Sequence, residues 1–177
     1  LAQLPGMTDR LRALWDFGDL DASESRLREQ LSSEPNDRGR AEVLTQLARV
    51  EGLRGDYEAA ERLLVEAEEL AGGGPRIPLE RGRVLRSSGD PAGAFPLFRS
   101  AFDLALTAGE DFIAADAAHM AALVDPAGIE PWTQRGIDLA EERAGAAYWA
   151  GPLYNNLGWH RFEAGDATGA LDAFERA

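Results

Sequence analysis

The chain of 177 residues contains no cysteine and no lysine. Without cysteine it has no disulfide, no thiolate nucleophile and no zinc–thiolate site. Its 18 basic residues are all arginine and stand against 31 Asp and Glu, which gives a formal net charge of −13. A chain this acidic presents no broad basic face to phosphate groups, so we expect no nucleic-acid partner.

Long apolar runs are also lacking, although hydrophobic residues make up 45% of the sequence. That share is typical of a folded chain rather than a disordered one. No stretch approaches the ~18 consecutive apolar residues of a membrane-spanning helix. No basic segment leads into an apolar stretch at the start, as it does in a secretory signal. We therefore expect a cytoplasmic protein without a membrane partner, and the arginine-only basic set with abundant Ala and Gly favours a bacterial source.

Residues 154–177 carry an ordered series of aromatic, small and Gly-Asp positions. The series is Tyr154, Leu157, Gly158, Gly165, Asp166, Ala170, Phe174 and Ala177. Because residues three or four apart share a helix face, this spacing predicts two helices that face each other. Gly165 suits the left-handed residue that ends the first helix, and Asp166 suits the N-cap of the second.

The Gly-Asp pair recurs upstream at Gly55-Asp56 and Gly89-Asp90, which lie 34 residues apart, and in a weaker copy at Gly18-Asp19. Small and large apolar residues follow these pairs at the spacing seen near the C-terminal end. The pattern resembles the tetratricopeptide repeat, a helix-turn-helix unit of 34 residues. The resemblance implies an all-α helical-repeat solenoid of about five antiparallel helix pairs, wound into a right-handed superhelix.

The resemblance divides the sequence into units of a single repeat domain over 1–177. The approximate units are 4–37, 41–74, 75–108, 109–147 and 151–177. Helices are predicted at 5–17, 20–33, 39–54, 57–71, 77–88, 91–107, 110–124, 131–144, 147–164 and 167–177. No Gly-Asp turn marks the unit at 109–147, so its repeat register stays open. Pro96 lies about one turn inside its helix, which predicts a bend or a late helix start.

In the tetratricopeptide family, the first helix of each pair lines a concave groove that binds extended peptides or helices. Carrying the groove positions over to this sequence gives candidates in three of the units. They are Arg49, Leu79, Arg83, Arg86, Asn155, Trp159 and Phe162. The arginines suit carboxylate groups, and the large aromatic side chains suit an interface anchor. The alternative is that the arginines pair with Glu on neighbouring helices, while the aromatic rings fill the interior of the superhelix.

Asp116 and His119 lie three residues apart on one predicted helix face, where we expect a hydrogen bond between them in the same groove. A metal ion would need further ligands, and no second His lies nearby in the sequence. Neither a Ser-His-Asp or Cys-His arrangement nor a phosphate-binding glycine loop is recognisable. We therefore expect no catalytic residue, no metal and no cofactor.

The sequence thus predicts a non-enzymatic protein-interaction module that binds a peptide or helix whose contacts include acidic or carboxylate groups. Two alternatives stay open. One is self-association into a homo-oligomer that serves as an assembly element. The other is a regulatory sensor domain within a larger protein.

Overall fold

A computed structural model describes residues 9–125 and 127–177, and the described chain is all-α. Its helices are α1 (Leu20–Ser33), α2 (Asp37–Arg54), α3 (Tyr57–Ala71), α4 (Arg76–Ser87), α5 (Pro91–Ala108), α6 (Asp111–Ala122), α7 (Glu130–Glu142), α8 (Ala150–Glu163) and α9 (Ala167–Arg176). Two 3-10 segments, Arg12–Leu14 and Ala144–Trp149, precede α1 and α8. No helix in these described ranges is both long and apolar enough to cross a membrane.

The predicted Gly-Asp turns are confirmed at three places. Each glycine has a left-handed backbone, with φ of +83° at Gly55, +98° at Gly89 and +84° at Gly165. The aspartate that follows caps the next helix, and its Oδ1 accepts a backbone N–H three residues further on at 2.8–2.9 Å. A residue with a Cβ is disfavoured at such a φ, and the carboxylate satisfies a helix N–H that has no intrahelical partner. The turns therefore set where one helix ends and the next begins.

The first predicted helix, 5–17, is wrong over the part that the structure describes. Residues 5–8 lie outside the described residues, and from Asp9 onward only a 3-10 segment forms before Trp15 turns to an extended backbone. The indole Nε1 of Trp15 donates to Gln46 Oε1 at 3.0 Å, which holds this segment against α2. The other predicted helices are present, although α8 begins three residues later than predicted because a 3-10 segment precedes it.

Pro96 does not delay the start of its helix. α5 begins at Pro91 and continues through Pro96 to Ala108, so the predicted late start is wrong. Proline fixes φ near −65°, which is compatible with a helix, and the ring removes a single backbone hydrogen bond. The helix therefore continues through the proline, and the predicted bend stays a prediction.

The described chain divides into two compact units, Asp9–Ala101 and Phe102–Ala177, and the division falls within α5. In the first unit the core is formed by the 3-10 segment and helices α1 to α4. Its buried apolar residues include Leu11, Leu27, Leu44, Leu47 and Ile77. Gly82 of α4 lies against the fully buried ring of Phe98, so closely that a Cβ would stand 2.6 Å from it. A small residue is needed here because the helix backbone and the ring are in contact.

In the second unit, α8 and α9 form the helical hairpin predicted from residues 154–177. Gly158 of α8 faces Phe174 of α9, where a Cβ would stand 2.5 Å from the ring. Leu153, Tyr154 and Leu157 of α8 are buried in one cluster with Ile137 of α7 and Ala173 of α9. This packing fixes which face of α8 points outward.

Candidate interaction surfaces

Arg49 on α2 lies beside two aromatic rings. Trp15 and Phe17 stack with their centroids 4.8 Å apart and their planes within 9°. The guanidinium carbon of Arg49 is 5.3 Å from the Trp15 centroid and 5.2 Å from that of Phe17, and Arg12 is 4.9 Å from Phe17. A cation over an aromatic ring is attracted by the negative face of that ring. We name Arg12, Trp15, Phe17 and Arg49 the arginine–ring cluster.

Arg83 on α4 is engaged with a buried carboxylate. Its Nη1 donates to Glu80 Oε1 at 2.5 Å, and only 12% of the Arg83 side chain and 2% of the Glu80 side chain are exposed. A buried carboxylate is costly unless a positive group pairs with it. Both residues lie on α4, so this pair is not the pairing with Glu on neighbouring helices that the sequence left open as the alternative.

The two remaining candidates on α4 differ in exposure. Arg86 is exposed and forms no ion pair with the carboxylates of the described ranges. Leu79 is only 1% exposed and lies in the core, so the prediction that it lines a binding surface is wrong. Its position along the helix places its side chain inward, and an apolar side chain there is stabilised by burial.

The outer face of α8 carries two large exposed aromatic side chains. Trp159 is 54% exposed and Phe162 is 58% exposed, and their rings meet edge to face at 6.0 Å. Trp159 also contacts the half-buried ring of Phe174 at 5.5 Å. We name Trp159, Phe162 and Phe174 the aromatic patch. Asn155, one helical turn before Trp159, is exposed on the same face.

His119 lies on α6 and is half-buried. Its Nδ1 is 3.1 Å from Asn156 Nδ2 of α8, and its ring is 5.3 Å from the ring of Trp149. Asp116 is buried one turn earlier, and the hydrogen bond between Asp116 and His119 stays a prediction. Across the described ranges, no group of three or more His, Cys, Asp or Glu side chains is arranged to hold a metal ion.

Charge is distributed unevenly between the units. Residues 102–177 contain 13 Asp and Glu against four Arg, a formal charge of −9, whereas residues 1–101 contain 18 against 14, a charge of −4. In this unit, Glu163, Asp172 and Glu175 lie one or two residues in sequence from a ring of the aromatic patch, and all three are exposed and have no ion pair within the described ranges. The patch is therefore an apolar surface in a strongly negative unit.

Sequence reasoning missed Phe17 and Phe174 as parts of these surfaces. Phe17 immediately precedes the Gly18-Asp19 pair. An arginine lies six residues before each of the first three Gly-Asp pairs, and this recurring arginine is the sequence signal that could have indicated a cation–ring contact with Phe17. Phe174 was predicted only as a member of the repeat series of residues 154–177. Its ring fills the space beside Gly158 and also contacts Trp159, which a one-dimensional pattern does not reveal.

Comparison with known proteins identifies the fold. No protein-family model matches the sequence, and a comparison with curated proteins found no match. Among solved structures, the crystal structure of MamA is similar, with a TM-score of 0.53 and 19% sequence identity over 95% of this chain and 92% of that one. MamA has a tetratricopeptide-like helical-repeat fold. At this identity the similarity shows the fold alone, and the chain is an all-α helical-repeat solenoid.

Proposed function

We propose that this chain is a non-enzymatic protein-interaction module that binds a peptide or helix. The observation that carries the proposal is the aromatic patch, in which Trp159 and Phe162 are each more than half exposed and contact each other. Large aromatic side chains dominate the affinity of many interfaces because burying them removes much apolar surface from water. The tetratricopeptide resemblance supports the same reading, since its groove positions include Asn155, Trp159 and Phe162.

The arginines differ in the roles that we propose for them. Arg86 is the guanidinium available for a carboxylate of a partner, because it is exposed and has no ion pair within the described ranges. Arg49 and Arg83 hold neighbouring side chains in place, through the arginine–ring cluster and through Glu80. His119 of α6 helps to position α8 through its contact with Asn156 of that helix.

Self-association is the second candidate, because an exposed aromatic patch could also pack against another copy. The charge of −9 on the same unit opposes this, since two copies would bring like charges together. We expect sedimentation of the full chain to give a monomer from micromolar to submillimolar concentrations. A dimer that is lost when Trp159 and Phe162 are both changed to Ser would establish self-association instead.

A displayed library of random peptides, panned against the full chain, tests the proposed module. The recovered peptides are synthesised, and their affinities are measured by fluorescence anisotropy. We expect micromolar binders whose affinity falls at least about tenfold, or 1.4 kcal/mol, when Trp159 and Phe162 are changed to Ser. Leu53→Ser is the matched control, because Leu53 is an equally exposed apolar residue in the first unit. Failure to recover any binder that needs the aromatic patch would contradict the proposal.

A further inference from the structure

We propose that the aromatic patch binds a basic amphipathic helix, in which apolar side chains cover the rings and Lys or Arg side chains lie against the surrounding carboxylates. This inference rests on the proposed function and adds the chemical class of the partner. Both parts of the proposal come from the same unit, Phe102–Ala177. The apolar part comes from the outer faces of α8 and α9, and the basic part comes from the charge around them.

The apolar part follows from how the rings are held. Trp159 stands between Phe162 and Phe174, with an edge-to-face contact to each. Phe174 is itself fixed against the backbone of α8 at Gly158. The exposed rings are therefore positioned before a partner arrives, which lowers the entropic cost of binding. Leu171, one turn before Phe174 on α9, is 59% exposed and extends the apolar surface along that helix.

A helix is the shape that fits such a surface. Trp159 and Phe162 follow one another along α8, and Leu171 and Phe174 follow one another along α9. Two adjacent helices with apolar side chains form a shallow groove, and amphipathic helices bind such grooves with residues spaced i, i+3, i+4 and i+7. The partner therefore needs one apolar helical face of about two turns.

The basic part follows from charge complementarity. The arginines nearest in sequence to the patch are already paired, Arg161 with Glu130 at 3.8 Å and Arg176 with Glu141 at 2.7 Å. Glu163 on α8 and both Asp172 and Glu175 on α9 remain exposed without an ion pair inside the described ranges. Charges at the rim of an interface steer the encounter and exclude partners of like charge.

The same charges argue against other occupants of the patch. A second copy of this chain would bring another unit of charge −9 to the surface. An acidic peptide or an anionic lipid surface would be repelled from the patch for the same reason, so a partner carboxylate that binds Arg86 of the first unit belongs to a different segment from the one that covers the patch. An uncharged apolar peptide would leave the three carboxylates without partners, so it would gain only the burial of the rings.

Two synthetic peptides test this inference with the full chain. Both carry the same Leu face at i, i+3, i+4 and i+7, and the other face is Lys in one peptide and Glu in its twin. We expect the Lys peptide to bind at least about tenfold more tightly than the Glu peptide, with a preference that weakens as added salt shortens the Debye length. Equal affinity for the two peptides, or no measurable binding of the Lys peptide, would overturn the proposal.

Two sets of variants locate the binding surface. Trp159→Ser combined with Phe162→Ser should weaken the Lys peptide at least about tenfold, whereas Leu53→Ser should not change its affinity. Glu163→Gln, Asp172→Asn and Glu175→Gln together should reduce the preference for Lys over Glu and keep the fold, because all three side chains are exposed. An unchanged preference in this triple variant would overturn the basic part of the proposal.

The peptide pair and the library separate this inference from the proposed function. Library peptides that need the aromatic patch but carry no basic face would overturn the inference and leave the interaction module intact. The absence of any peptide that needs the patch would contradict both. A set of patch-dependent binders enriched in Lys and Arg would support both.

Discussion

The two units place different residues at the same position of the repeat. Six residues before the Gly-Asp turn, the first unit has Arg49 and Arg83, and the second unit has Trp159. Both arginines are held within the first unit, one by aromatic rings and one by the buried carboxylate of Glu80. Trp159 is more than half exposed. The repeat therefore determines where a side chain stands, whereas its neighbours determine whether it stabilises the fold or faces a partner.

The two units also differ in how many arginines they have for their carboxylates. In the first unit, arginines bridge helices: Arg54 of α2 contacts Asp21 and Glu24 of α1, and Arg81 of α4 contacts Glu61 and Glu68 of α3. The second unit has four arginines for 13 carboxylates and leaves several carboxylates exposed. Arginine joins helices in both units, as Arg161 with Glu130 and Arg176 with Glu141 do in the second, but its scarcity leaves the second unit negative.

The largest expected difference between the units concerns their ion pairs. Arg76 and Asp9 form a buried pair at 2.6 Å in the first unit, whereas Arg143 and Asp111 form a partly exposed pair at 2.7 Å in the second. Arg76→Met should lower the free energy of unfolding by about 3 kcal/mol, because it leaves a buried carboxylate uncompensated. Arg143→Met should lower it by less than about 1 kcal/mol. Urea unfolding of the two variants measures both losses of unfolding free energy. Equal losses would contradict the expected difference between the buried pair and the partly exposed pair.

The next difference concerns the close approach of a glycine to a ring. Gly82→Ala should destabilise the first unit by about 2 kcal/mol, because Phe98 is fully buried and has no room to move. Gly158→Ala should cost less, about 1 kcal/mol, since displacing the half-buried ring of Phe174 loses fewer buried contacts, and Ala favours the helix over Gly. Urea midpoints for the pair test this order. A larger loss in Gly158→Ala would contradict it.

The pH dependence of stability should also separate the units. Hydrogen bonds from Arg54 and then Arg28 hold the pKa of Glu24 in the first unit below its ordinary value of 4.5. The stability that this contributes is present above that value and is lost as the pH falls through the lowered pKa. Glu24→Gln should remove about 0.5–1 kcal/mol at neutral pH and flatten the acid side of the stability curve. An acid side as steep as that of the native chain would contradict this assignment.

In the second unit the corresponding effect lies at alkaline pH. Burial and the hydrogen bond that its hydroxyl donates to Glu141 at 2.6 Å raise the pKa of Tyr154 from 10.0 to about 12. This contribution is present below pH 10 and is lost as the pH rises through about 12, because the unfolded chain ionises first. Tyr154→Phe should cost about 1 kcal/mol at neutral pH and weaken the alkaline loss. Unfolding curves of the native chain and of Tyr154→Phe, measured from pH 8 to about 12, check this prediction.

Much of the fold follows from the sequence because its strongest signals are local. A glycine with a left-handed backbone and an aspartate that caps the next helix act within a few residues, so the turns at Gly55, Gly89 and Gly165 were predictable. The segment before α1 was not, since its course depends on the distant contact between Trp15 and Gln46. Local pattern also failed to show which side of α4 is buried, and Leu79 was therefore misassigned.

The candidate surfaces were predictable only in part. Repeat position identified Trp159 and Phe162 correctly as residues on one helix face. It could not distinguish Arg86, which is exposed, from Arg83, whose partner Glu80 is buried three residues away. That difference depends on the burial of a carboxylate by the surrounding helices, which residue spacing does not encode.

The most direct test of the account compares Arg49→Ala with Trp159→Ala, two changes at the same position of the repeat. Urea unfolding and the affinity for the Lys peptide are measured for each variant. We expect Arg49→Ala to lower the free energy of unfolding by about 1 kcal/mol through lost cation–ring contacts and to leave the affinity unchanged. Trp159→Ala should weaken the peptide at least about tenfold. An affinity that falls equally in both variants, or only in Arg49→Ala, would contradict the assignment of a structural role to one unit and a binding role to the other.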